Sequence, residues 1–372
     1  MAVDLRVQAW DINANTLLTD ILGATNLKFA TRINDAGECS FEINTSDPIA
    51  RQTYGVLDGL GGNEFKVLLT ANGGSTILYS GIMWQSEKHS TDYKVTFRGK
   101  ALTSYFQDVT IKNSYTTSIV PGQLIVQAIA DAQATEPGAN RGLQTRIIGY
   151  NTPPAITPRY NQYQYTLVGQ VLADMTAGAA PGIGGTDYYV SDVFVNGAPQ
   201  HTLNIVSPRA GRDSTASQLS IDLAQATDWR FPTDNFGSAN HIIVVGGGTG
   251  GTQPVATADR YPRGGAGQQP LKEMVLQYSQ VTVQSQLQHI ANGAIIRFGQ
   301  PVTTPVVTIP ADYAPCQLGS YIIGDDVRLR MDPDPRFPDG YDQWWRIVAY
   351  AITVNPQGVP TVQLTFNPPP VF

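Results

Sequence analysis

Apolar and polar residues alternate over short stretches through the first 110 residues. Val3, Leu5, Val7 and Ala9 alternate with Asp4, Arg6, Gln8 and Trp10, the period of a strand with one buried face. Residues 27–30 and 39–43 flank Asn34-Asp35-Ala36-Gly37, and residues 65–69 and 77–79 flank Ala71-Asn72-Gly73-Gly74. Asn and Gly accept the positive φ that such connections need, so both pairs are predicted hairpins. Tyr93, Val95 and Phe97 alternate with Lys94, Thr96 and Arg98, a further half-buried strand. The segment is expected to be all β, a small antiparallel barrel or sandwich.

From about residue 118 the period becomes helical. Leu124, Ile125, Ala128, Ile129 and Ala132 share one face just after Pro121, a residue tolerated in a first turn. Leu167, Val168, Val171, Leu172 and Met175 predict a second short helix after the Pro- and Tyr-rich stretch 152–165. A loop over 178–185 follows. Residues 188–195 and 202–206 then form a predicted hairpin about Asn196-Gly197. The last section opens with the apolar strand 242–245, continues through a Gly-rich loop and one helix over 282–294 (Val283, Leu287, Ile290, Ala291, Ala294), and ends in strands.

Those final strands echo the first ones. Segments 65–69, 77–84 and 93–97 have counterparts in 327–331, 345–354 and 361–366, each set running short, long, short, which is an internal repeat. The expected fold is therefore mainly β, with two related antiparallel β-barrel domains and a mixed α/β insertion. The expected boundaries are 1–110, 111–235 and 236–372, the last containing one helix.

Composition narrows the function. With 42% hydrophobic residues and a net charge of −6, the chain has a core to bury and is expected to be ordered. No cluster of Lys and Arg is present, which argues against a protein that grips nucleic acid. Cys39 and Cys316 stand in neither a disulfide framework nor a metal spacing, so synthesis in the cytoplasm is expected. The first ten residues read as a strand rather than a signal peptide, and no apolar stretch reaches the length of a membrane span.

Candidate chemistry is thin. Gly246-Gly247-Gly248-Thr249-Gly250-Gly251 follows a strand and formally matches a dinucleotide fingerprint. A phosphate site needs a helix to follow, whereas this chain continues Thr252-Gln253-Pro254 and reaches Tyr261-Pro262-Arg263-Gly264-Gly265; a mobile loop is expected. Asp332-Pro333-Asp334-Pro335 with Asp339-Gly340 lacks the ligand spacing of a calcium loop. His89, His201, His241 and His289 are scattered, and no G-x-S-x-G elbow occurs. No catalytic, cofactor or metal residue is assigned, and no enzyme is expected. Trp344, Trp345 and the 17 Tyr leave a carbohydrate-binding β protein, or an unrecognised cell-wall hydrolase, as alternatives.

The order of elements carries a resemblance. Val7-Gln8-Ala9-Trp10-Asp11, a strand pair ending at Phe41-Glu42-Ile43, the strand and turn from Asn240 to Gly247, Leu318-Gly319, and Gly324-Asp325-Asp326-Val327 occur in that sequence. Together they resemble the hub proteins of long-tailed bacteriophages, also called tail-associated or minor tail proteins, over nearly the whole chain. The resemblance implies two related tail-tube-like barrels per chain and a homotrimer presenting six barrels in a ring. It implies contacts with a distal tail or tail tube protein, a tape-measure protein and the tail tip or receptor-binding proteins. DNA would only pass through the lumen, and the protein would reside in the virion at the tail tip or baseplate. The chain stops soon after its last strand, so hydrolase or receptor-binding domains are expected to lie elsewhere.

Overall fold

The computed structural model describes residues 4–59, 65–88, 90, 92–135, 143–149, 155–177, 186–234, 237–260, 270–279, 281–299, 302–355 and 358–367. His89, the loop over 178–185 and residues 261–265 lie outside them.

The N-terminal part contains β1 (Arg6–Asp11), β2 (Leu17–Asp20), β3 (Ala24–Arg32), β4 (Glu38–Asn44), α1 (Pro48–Asp58), β5 (Phe65–Ala71), β6 (Thr76–Lys88) and β7 (Lys94–Ala101). Both expected hairpins form. Asn34 (φ 59°) turns the chain between β3 and β4, and Asn72 (52°), Gly73 (71°) and Gly74 (92°) turn it between β5 and β6. Gly37 is required by crowding, since a Cβ there would lie 1.8 Å from the Ala30 carbonyl oxygen.

The expectation of an all-β segment is corrected by α1. Asp47 caps this helix, its carboxylate accepting from the Ile49 and Ala50 amides, and Pro48 occupies the first turn. Ala50, Thr53 and Leu57 form the buried side. That stripe is too narrow for hydrophobic periodicity to register, with Arg51, Gln52 and Tyr54 between its members.

The insertion contains α2 (Pro121–Thr135), β8 (Leu143–Ile148), α3 (Val168–Ala177), β9 (Asp187–Val195) and β10 (Ala198–Val206). All five apolar residues expected on one face of α2 are buried, packed with Val168, Val171 and Leu172 of α3 against Leu203 and Ile205 of β10. Leu167 instead precedes α3 and bridges Thr110. Asn196 (51°) and Gly197 (81°) make the expected tight turn between β9 and β10. β8 pairs parallel with β10 at the sheet edge.

Three short strands follow, β11 (Ser220–Asp222), β12 (Asp228–Arg230) and β13 (Thr233–Asp234). A small α/β unit comes next: β14 (His241–Gly246) lies between antiparallel β15 (Val255–Asp259) and parallel β16 (Glu273–Tyr278), with α4 (Gln284–Phe298) across them. Leu287 and Ala291 of α4 pack on Ile242 and Val244. The chain closes with β17 (Val302–Thr303), β18 (Val306–Pro310), β19 (Asp326–Met331), β20 (Tyr341–Val354) and β21 (Pro360–Asn367). Because β13 pairs with β17 and β12 with β18, the α/β unit is inserted at the tip of a hairpin.

The strands from both ends of the chain form one 13-stranded sheet, whose main path runs β12-β18-β21-β20-β3-β4-β7-β6-β5-β1-β2. One core runs under it, in which Phe29, Phe41, Phe65 and Phe97 share a cluster with Ile221, Val307, Leu329, Ile352 and Phe366. The architecture is mainly β with α/β parts.

Candidate functional site: the strand joint and its polar seam

The two halves of the sheet follow one pairing scheme. In the first, β3 pairs β4, β4 pairs β7, β5 pairs β6 and β6 pairs β7, all antiparallel. In the second, β12 pairs β18, β18 pairs β21, β19 pairs β20 and β20 pairs β21, again all antiparallel. The long central strand of each half carries a bulge at the same place, between Met83 and Gln85 in β6 and between Ile347 and Ala349 in β20. The halves differ at the far side of the third strand, where β1 runs antiparallel to β5 but β11 parallel to β19.

They are joined through the length of β20. Its 14 residues pair β19 from Tyr341 to Arg346; beyond the bulge the same edge pairs β3, from Ala349↔Arg32 to Thr353↔Lys28. The Ile33 amide donates to the Val348 carbonyl at 3.0 Å where one partner gives way to the other.

A buried polar seam holds the insertion against this joint. The Arg346 guanidinium donates to Asp187 Oδ2 (2.5 Å) and to the carbonyls of Ala210 (2.9 Å) and Gly324 (3.2 Å). Asp187 also accepts from Asn34 Nδ2 (2.9 Å) and the Ala210 amide (2.8 Å). Asn34, at the β3–β4 turn, exchanges backbone and side-chain hydrogen bonds with Tyr188. Beside it, Arg209 reaches both oxygens of Asp326 (3.1 and 2.7 Å), and Arg212 Nε donates to Asp325 (3.1 Å). Asp325 and Asp326 are buried. Gly324 takes φ 99°, and a Cβ on it would stand 2.5 Å from the Ala210 carbonyl oxygen. Each part of Gly324-Asp325-Asp326-Val327 thus acts physically, since its glycine permits close approach and its carboxylates fix two arginines of the segment leaving β10.

A second buried cluster was not legible in the sequence. Lys66 Nζ contacts Asn15 Oδ1 and stands 3.0 Å from His201 Nε2; His201 Nδ1 lies 2.7 Å from Asp192 Oδ1; Ser80 Oγ donates to Asp192 Oδ2 at 2.7 Å. Burial pushes the Lys66 ammonium down to about 8, opposed by the Asp192 and Asp11 carboxylates. The residue types suggest nucleophilic catalysis, but the serine hydroxyl points at the carboxylate rather than at the imidazole, and lysine fills the position a nucleophile would need. The adjoining cavity, about 50 Å³, is lined by Ser80, Asp192, Tyr189 and Tyr350 and leaves no room for a polymer substrate. The cluster ties β5 and β6 to β9 and β10.

The features flagged in the sequence are dispersed. The glycine run leads from β14 through a tight turn into β15, with no α-helix to face a phosphate. The loop expected to be mobile is closely packed at its start, where a Cβ on Gly246 or Gly247 would lie 2.5 or 2.2 Å from the carbonyl oxygens of Val281 or Ser279. Asp334 pairs with Arg336, whose hydrogen bonds hold the carboxyl down to about 2, and the guanidinium carbon sits 4.5 Å from the Trp229 ring centroid. No group of three or more metal-ligating side chains occurs among the described residues. His241, in a different sheet from His201, contacts Asp259 at 2.6 Å, and Cys39 and Cys316 are buried and form no disulfide, their thiols pushed up to about 12 by burial. Trp344 and Trp345 are successive residues of β20, so their side chains leave opposite faces and cannot form one stacking platform. A groove of about 640 Å³ is lined by charged and polar residues including Lys28, Glu38, Arg98 and Lys100. Among the described residues no helix is long and apolar enough to cross a membrane.

No protein-family model matches the chain, and no curated protein matches it by sequence. Solved structures do match. A tail protein from Neisseria meningitidis MC58 superposes with a TM-score of 0.61 at 10% identity, covering 98% of this chain and 96% of that one. The 43 kDa tail protein of prophage MuSo2 from Shewanella oneidensis gives 0.61 at 11% identity over 98% of both chains. The prophage tail protein gp18 from Listeria monocytogenes EGD-e gives 0.54 at 15% identity, covering 97% and 94%. The chain therefore has the fold of these tail proteins along nearly its whole length, and the resemblance drawn from the sequence is borne out at the level of fold.

Proposed function

We propose that this protein is a structural, non-enzymatic component of a bacteriophage tail: the trimeric hub that joins the sixfold tail tube and distal ring to the threefold tip. One observation carries the reading: two halves of one chain share a strand-pairing scheme and are joined edge to edge. Three such chains supply six similar units, which lets a threefold assembly meet a sixfold one, and heterologous contacts of this kind close into a ring when the rotation is right. The fold shared with tail proteins supports the same role.

In this reading the domains lie near 1–110, 111–235 and 236–372, with the short strands β11 to β13 just before the last boundary pairing into the C-terminal half, and the ring is part of the conduit for DNA ejection. Partners are the distal tail or tube protein, the tape-measure protein and the tip or receptor-binding proteins, and the protein resides in the virion tail tip. The chain's net charge of −6 suits a neutral or acidic lumen, because a basic one would hold the phosphates of passing DNA. Light scattering coupled to gel filtration, with imaging of intact tails, tests the reading. We expect three copies at the tip; a protein that is monomeric alone and missing from the tip is not the hub.

A further inference from the structure

Unpaired charges of opposite sign stand in the two halves of the chain. The groove of about 640 Å³ spans β3, β4, β6 and β7 of the N-terminal half, and its cations Lys28, Arg98 and Lys100 are exposed. Lys28 and Arg98 lie in one row across the sheet, each opposite Ser40. Arg98 is engaged by Glu87 at 2.9 Å, whereas neither lysine ammonium has an ion-pair or hydrogen-bond partner among the described residues. Glu38 and Asp108 also line the groove and leave it with an excess of positive charge. Trp84 forms part of the wall, its indole N–H donating to Ser104 Oγ at 2.9 Å, which fixes the ring.

The negative charge is at the turn between β19 and β20. Asp332 follows the last residue of β19 and Asp339 stands shortly before β20; Met331 and Tyr341 are paired, so the hairpin brings both carboxylates to one neck. Both are exposed and neither has an ion-pair partner among the described residues, unlike Asp334 with Arg336 and Asp342 with Arg328. The turn is stiff. Asp334 and Phe337 exchange backbone hydrogen bonds (3.0 and 2.9 Å), Pro333, Pro335 and Pro338 fix φ, and the Phe337 ring packs on Trp229, Phe231 and Tyr341. Such a tip loses little freedom on docking, and its exposed prolines suit an aromatic wall.

One copy does not bring its own tip to its own groove. Lys28 lies opposite Thr353, whereas the tip precedes Tyr341, so about 40 Å of β20 separates them at ~3.3 Å per residue. We propose that the β19–β20 tip of one copy sits in the groove of a second copy, with Asp332 and Asp339 against Lys28 and Lys100 and the tip's prolines on Trp84. Each copy then gives a tip to one neighbour and a groove to the other, and three copies close the ring. Exposed ion pairs each contribute little, so the charges select partner and register while the prolines and Trp84 bury apolar surface. The inference rests on the trimer reading and names the contact that closes it.

The test is a charge exchange in the full chain, read by light scattering on concentrated pure protein and by copy number at the tip of tails assembled with each variant. We expect wild-type trimers that weaken as salt rises. Lys28→Glu with Lys100→Glu, and separately Asp332→Lys with Asp339→Lys, should each raise the dissociation constant about ten-fold or more, because like charges then face each other. All four substitutions in one chain restore opposite charges at every contact and should return trimers of wild-type strength, a recovery that damage to the fold would not give. Trimers unchanged in both double variants overturn the contact and leave the hub reading standing. Weakening by only one double variant, or failure of the fourfold exchange to restore it, overturns the pairing of tip with groove. Duplex DNA held by the wild type and released by the lysine substitutions alone overturns the choice of occupant, and species beyond the trimer overturn the closed ring. A protein monomeric at every concentration and missing from tails overturns both readings.

Discussion

Arg346 stands where β20, the start of β9 and the segment after β10 meet, and its guanidinium is buried with the Asp187 carboxylate. Deleting one member of such a pair leaves the other charge buried and alone, which costs about 3–5 kcal/mol. Arg346→Ala is expected to lower the unfolding free energy by that amount in urea titrations, whereas Arg346→Met combined with Asp187→Asn should lose clearly less. Lys66 gives a pH signature. Its folded value of about 8 lies below the usual lysine value, so between the two the unfolded chain binds more protons and stability rises with pH. Below pH 8 both states are protonated and the contribution is flat, at its least favourable. Urea midpoints followed from pH 7.5 to 10.5 should show this rise in the native protein, with a smaller slope in Lys66→Met.

Among the elements, α1 and the β3–β4 hairpin are the most exposed to single changes. Asp47→Ala removes the cap of α1 and is expected to cost about 1 kcal/mol in thermal unfolding. Gly37→Ala must displace the Ala30 carbonyl from 1.8 Å, so it should disturb the hairpin whose turn anchors Asn34 to Tyr188. Amide exchange is expected to quicken in β3 and β4 first, and unchanged protection there would contradict the account. In the glycine run, Gly248 has φ 151°, so Gly248→Ala is strained by backbone geometry, with no phosphate site involved. Titration calorimetry with nucleotides should give no saturable heat.

At the scale of the whole molecule, the sheet is continuous because β20 is long enough to serve β19 and then β3. A fold built this way commits its polar residues to seams. Lys66, Asp192, Arg209, Arg346 and His201 are all used in holding the insertion. On the proposed structural role, the purified protein is expected neither to cleave peptidoglycan nor to hydrolyse nucleotides; turnover abolished by one point substitution would contradict this.

Local pattern was enough for the elements whose burial follows a simple period. The face of α2 from Leu124 to Ala132, the Asn196-Gly197 turn and the three strand pairs of the internal repeat were all legible, because each is dictated by neighbours within a few residues. The helix α1 was signalled only by Asp47-Pro48, and β8 by nothing distinctive, since its parallel pairing to β10 depends on a distant strand. What the tertiary structure alone decided was the joining of the halves and the identity of the seam. Arg32 and Ala349 pair because the two ends of the chain share one sheet, and Lys66 meets His201, and Arg346 meets Asp187, because the insertion packs against that sheet. Periodicity states which face of a strand is buried but not which edge it offers to which partner, and in this protein an edge of β20 joins the two halves of the chain.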